Sequence, residues 1–137
     1  MKRSYISVVA LFALVILGVS AQPNGEPVPD DLATLLEPMA LQEFLADPPD
    51  GFFLVDTRTP QEYVDGHIPT AIQIDYRDIG SSPPTDDKDA LIILYCRSGN
   101  RSNVAAQTLA SLGYTQVLDW GGIIDWPFEI VSGSNPE

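Results

Sequence analysis

Short apolar runs alternating with amphipathic segments predict an α/β fold: a parallel sheet of about four to five strands with helices on both faces. Three observations carry this. Leu91-Ile92-Ile93-Leu94-Tyr95 is apolar at every position, as a central strand covered on both sides must be. Phe52-Phe53-Leu54-Val55 is a second such run and ends at Asp56. Helix start and stop signals punctuate the stretches around them.

The elements follow in order. Met39 to Asp47 has apolar residues at 41, 44 and 45, which suits a short helix, and Pro48-Pro49 ends it. The Phe52 strand comes next. Thr59 then supplies a cap and Pro60 the first helical position of a helix running through Val64. Ala71 to Ile74 reads as a strand and Gly80 to Ala90 as a loop, Gly-Ser-Ser-Pro-Pro followed by acidic residues. After the Leu91 strand, Ser102 to Leu112 is the clearest helix. Its apolar face is Val104, Ala105, Thr108, Leu109 and Leu112, and Gly113 stands where a C-terminal cap needs positive φ. Gln116-Val117-Leu118 is a last short strand, and Gly121-Gly122 precedes a brief helix ending at Trp126-Pro127.

The ends of the 137-residue chain differ from this middle. Lys2 and Arg3 precede an apolar run from Ile6 to Val19, and Val19-Ser20-Ala21 are small. That is the layout of a secretory signal peptide over residues 1–21, with an apolar run shorter than the ~20 residues of a membrane-spanning helix. Cleavage after Ala21 is expected, giving a periplasmic or secreted protein. Residues 22–34, rich in Pro, Asp, Glu and Gly, read as a flexible lead-in, 35–131 as the folded domain and 132–137 as a tail. Without Lys2 and Arg3 the chain carries five basic and nineteen acidic residues, a net charge near −14. Such a surface repels nucleic acid and anionic lipid and favours a soluble monomer.

Cys96 is the only cysteine, so no internal disulfide can form. An odd cysteine in an exported protein points to a reactive thiol or an intermolecular bridge. A buried, inert thiol is the ordinary alternative, and the local sequence decides between them. Cys96 follows directly on the central strand and precedes Arg97-Ser98-Gly99-Asn100-Arg101, after which a helix begins near Ser102. Ligands in open α/β sheets bind beyond the carboxyl ends of strands. A loop entering a helix there turns backbone N–H groups inward, and with the helix dipole they bind an anion. A thiol at the head of such a loop is expected to ionise below the ~8.5 of a free cysteine. Gly99 gives the loop freedom to close. Arg97 and Arg101 are two of the five basic residues outside the leader, and guanidinium forks suit oxyanions.

Cys96-Arg97-Ser98-Gly99-Asn100-Arg101-Ser102 resembles the active-site loop of the rhodanese family, the thiosulfate sulfurtransferases. Leu54-Val55-Asp56-Thr57-Arg58, with Glu62-Tyr63 and Gly66-His67-Ile68-Pro69, resembles the family's upstream signature. Gly121-Gly122 with Trp126 resembles its downstream one. The resemblance implies a rhodanese-like domain over 35–131 and a two-step sulfur transfer. Cys96 would take the outer sulfur of thiosulfate as a persulfide, expel sulfite, and pass the sulfur to cyanide or a thiol. It further implies that Arg97 and Arg101 bind the donor, that residues 97 to 102 cradle it, and that no metal or organic cofactor takes part. No cluster of metal ligands is visible in the sequence. One position departs from the family: Thr70 stands where Gly usually follows His-Ile-Pro.

Around this loop, Asp56 is expected to accept hydrogen bonds from it. Arg58 is expected to pair with Glu62 four residues on, or to face the pocket. Trp126 is expected to wall the pocket or pack in the core, and His67 to be structural, because an ionised thiol needs no base. Three rival functions fit these residues less well. A phosphatase or arsenate reductase of the same fold would use a Cys-x5-Arg loop, longer than the Cys-x4-Arg of Cys96 and Arg101. Mercaptopyruvate as donor is disfavoured by the two arginines. A non-catalytic binding or sulfur-carrier module would commonly lack the cysteine.

Overall fold

The structure, a computed structural model, describes residues 30 to 137. The expected signal peptide and residues 22 to 29 of the lead-in lie outside the described residues. Four strands, all parallel, form one sheet: β1 (Phe53–Asp56), β2 (Ile72–Gln73), β3 (Leu91–Cys96) and β4 (Gln116–Gly122), in the order β2-β1-β3-β4. Helix α1 (Pro38–Ala46) precedes β1, α2 (Pro60–Asp65) lies between β1 and β2, and α3 (Asn100–Ser111) joins β3 to β4. Every residue of β3 is buried, which explains its uninterrupted apolar run.

The alternation of β3 sorts its side chains between two cores. Leu91, Ile93 and Tyr95 pack with Leu41 and Phe44 of α1, Tyr63 of α2, and Trp120 and Trp126. Ile92 and Leu94 pack on the other face with Ala105 and Leu109 of α3, and with Ile79 and Tyr114. Helices therefore cover both faces of the sheet, as the alternating pattern predicted.

Several boundaries move. A short 3-10 helix, Leu32–Leu36, occupies the end of the expected lead-in, because Leu35 is buried and Asp31 caps Ala33. β4 runs on to Gly122, well beyond Leu118, because it stays paired to β3 through an irregularity. Leu94 faces Asp119, Tyr95 faces Gly121 and Cys96 faces Gly122, so Trp120 is the extra residue of a bulge. α3 starts two residues early, at Asn100, and its buried stripe is Ser102, Ala105 and Leu109. Val104 and Leu112, expected on the apolar face, are exposed. The last residues are docked: His67 and Val131 exchange backbone hydrogen bonds at 2.9 Å, and Gly133 N–H bonds to Val64 O at 2.9 Å. Thr70 N–H bonds to Pro136 O.

Candidate active site

β3 delivers Cys96 to the carboxyl end of the sheet, and α3 begins four residues later. Only Arg97, Ser98 and Gly99 lie between. So tight a turn needs a residue with positive φ, and Gly99 supplies it at +105°. Its N–H turns back onto the sulfur, Gly99 N to Cys96 Sγ being 3.0 Å. The turn also presses on β4: a side chain at Gly122 would meet Arg97 O at 2.4 Å and Ser98 Cα at 2.6 Å. Gly122 is thus required by its close approach to the loop, and Gly121 by its φ of +106°.

Cys96 is 1 % exposed. Burial pushes its thiol up, but the N–H groups of Ser102, Gly99 and Ser98, with the Ser102 hydroxyl, outweigh it. The thiol therefore lies below its ordinary value. The single hydroxyl proton of Ser102 has Asp119 Oδ1 at 2.6 Å, with Gly99 O and Gly121 O farther off at 3.1 and 3.2 Å. The backbone N–H groups therefore carry most of the lowering. This sulfur is enclosed in a polar ring, in contrast to an inert core cysteine.

The loop residues have separate surroundings. Arg97 and Ser98 are exposed, Asn100 opens α3 at the surface, and Ser102 is buried against Asp119. Arg97 makes no ion pair among the described residues. Arg101 instead spends both Nη groups on Glu62, at 2.7 and 2.9 Å. That contact holds the Glu62 carboxyl down at about 2, against the opposing effect of its burial.

This pairing corrects one expectation. Arg58 does not pair with Glu62; it pairs with Asp56, which sits two residues before it on the end of β1. Arg58 Nη2 to Asp56 Oδ2 is 2.7 Å, Arg58 Nε to Oδ1 is 3.0 Å, and Arg58 Nη2 also reaches Gly66 O at 2.6 Å. The strand end brings the two side chains together and buries them, whereas Glu62 turns toward α3. Asp56 corrects a second expectation. Its carboxylate is filled by Arg58 and by the Tyr95 hydroxyl at 2.9 Å, and accepts no hydrogen bond from residues 97 to 102. Burial and the Asp56 charge push the Tyr95 hydroxyl well above its ordinary value, so it stays a donor.

A cleft of about 480 Å³ opens beside the loop, its wall including Arg58, Glu62, Arg97, Ile123, Trp126 and Phe128. Trp126 does both things expected of it. It faces this cleft and packs edge-on against Trp120 and Phe128, at 5.6 and 5.0 Å between ring centroids. His67 stands apart from the loop: Nδ1 lies 2.8 Å from Tyr63 O and Nε2 2.9 Å from Asn135 O. Both nitrogens face backbone carbonyls rather than the loop. No group of His, Cys, Asp and Glu suited to a metal occurs among the described residues.

Sequence reading missed Asp119 and the Glu62–Arg101 pair. Asp119 carries no motif of its own. Glu62 and Arg101 lie 39 positions apart and meet only in the fold.

A model of the rhodanese-like domain matches residues 37–126. A sulfurtransferase of Allochromatium vinosum is 43% identical over 88 residues, covering 64% of this chain and 81% of its own. The thiosulfate sulfurtransferase PspE of Escherichia coli K12 is 32% identical over 81 residues, 58% of this chain and 78% of its own. Among solved structures, a rhodanese from E. coli with anions superposes with a TM-score of 0.52 at 32% identity, covering 59% of this chain and 98% of that one.

Proposed function

The chain belongs to the rhodanese-like family and is related to sulfurtransferases, and from that footing we propose that it moves the sulfane sulfur of thiosulfate through a persulfide on Cys96. The observation that carries this reading is the Gly99 N–H held 3.0 Å from a sulfur at the mouth of a helix. A thiol lowered by that ring offers more of the attacking thiolate than a free cysteine does.

In the first step the Cys96 thiolate attacks the outer sulfur of thiosulfate. The S–S bond breaks and sulfite leaves with the bonding pair. The outer sulfur stays on Cys96 as a persulfide anion, in reach of the N–H groups that stabilised the thiolate. In the second step cyanide or a thiol attacks that sulfur, and Cys96 regains its thiolate. Arg97, with no carboxylate partner among the described residues, draws the donor's oxyanion to the loop and steadies departing sulfite. Support for an anion site also comes from the related rhodanese whose structure was solved with anions. The chemistry takes place outside the cytoplasm, the basic pair Lys2-Arg3 and the apolar run to Val19 serving for export.

The test is thiocyanate formation from thiosulfate and cyanide. Cys96→Ser should lower it by more than about a thousandfold, since both steps pass through the sulfur, while the melting transition persists. Retained turnover in that variant would reject the proposal.

A further inference from the structure

Three arginines stand around the loop, and two already have their charge cancelled. Asp56 clasps Arg58 and Glu62 clasps Arg101, while Arg97 makes no ion pair among the described residues. Glu62 is itself fixed. Its Oε2 accepts from the backbone N–H of Thr59 at 3.0 Å and from the Thr59 hydroxyl at 2.9 Å, completing the capping box of α2. The N-terminus of α2 therefore holds an arginine in the first turn of α3. Glu62 also lines the same cleft as Arg97.

From this we infer that Glu62 is a positioning and specificity-determining residue of the sulfur-donor site. It holds the Arg101 guanidinium at the edge of the loop and cancels its charge, so the cleft wall sets Arg97, which has no ion pair among the described residues, against the carboxylate of Asp65. A mouth so balanced suits anions of low charge, and Glu62 keeps the KM for the dianion thiosulfate high. The inference rests on the same loop being where the donor docks. The cancellation is itself robust, because Arg101 is what keeps the Glu62 carboxyl ionised to about pH 2.

The experiment is alkylation of Cys96 by iodoacetate and by iodoacetamide. These reagents have nearly the same size and differ by one negative charge. In both reactions the thiolate bonds to carbon and iodide leaves, so no sulfur-transfer turnover is needed. Glu62→Gln keeps an acceptor for Thr59 and removes the charge. The ratio of the iodoacetate to the iodoacetamide rate should rise roughly threefold at low ionic strength, the effect of one unit charge at this range in a solvated cleft. The rise should shrink at about 0.5 M salt. Arg101→Gln, which leaves the Glu62 charge exposed, should lower the ratio by a similar factor, and the double variant should return it toward the wild type. A brace with no electrostatic role would change both rates together and leave the ratio alone. An unchanged ratio in both single variants overturns the inference, as does a Cys96 that neither reagent reaches. If Glu62→Gln loses its melting transition, Arg101→Gln reads the pair from the other side. Failure of thiosulfate to add sulfur to the wild type would instead sink the transfer reading and leave the ratio test standing.

Discussion

At the scale of the residue, two effects compete at Cys96. Burial opposes the thiolate, and the ring of N–H groups from Ser98, Gly99 and Ser102 favours it and prevails. The folded pKa is thus lower than the unfolded one. Ionisation adds to stability above the unfolded value, ~8.5 for a free thiol, and that contribution is lost as pH falls through the folded value. The rate of iodoacetamide alkylation should rise with pH to a midpoint below ~8.5. A midpoint at or above that of free cysteine would mean that desolvation wins. Most of this was legible beforehand: a cysteine at a strand end, a glycine, and a helix. The occupation of Arg101 by Glu62 was not, because two charges 39 positions apart give no local signal. Helical spacing points Arg58 to Glu62 or else to the pocket; the end of β1 offers Asp56 at shorter range, and Arg58 stands on the cleft wall.

At the scale of the element, the turn after α2 carries a visible cost. Thr70 has φ +75°, a region where a β-branched residue is an outlier. The sequence marked this position as the one departure from the family, which usually places glycine there, and the dihedral explains that usage. Holding a non-glycine residue there costs about 1–2 kcal/mol, and glycine's greater freedom in the unfolded chain returns about 0.5–1 of it. Thr70 is exposed, so its side chain leaves little packing behind. Thr70→Gly should therefore stabilise by about 0.5–1 kcal/mol and raise Tm by roughly 3–6 °C, measured by thermal unfolding; a lower Tm would contradict the strain. The caps of α2 followed from Thr59 and Pro60 as expected. The start of α3 did not, because Gly99 accepts the role of N-cap without any side chain to announce it.

At the scale of the whole molecule, the parallel sheet and its two cores were readable from the unbroken apolar run of β3, since only a central strand needs both faces apolar. The docking of the last residues was not. Ser132 to Glu137 has the composition of a loose tail, yet it is held through main-chain bonds to Val64 and Thr70 and through the His67 ring, contacts that composition does not encode. The bulge at Trp120 was equally hidden, although it sets Gly121 and Gly122 opposite Tyr95 and Cys96 and so lets the loop close. Sheet, bulge and helix together serve to enclose one sulfur in polar backbone. That claim is tested most directly by the intact mass of the purified protein before and after exposure to thiosulfate. The account predicts the gain of a single sulfur atom, absent in Cys96→Ser and removed by cyanide. An unchanged mass in the wild type, with Cys96 still a free thiol, would contradict it.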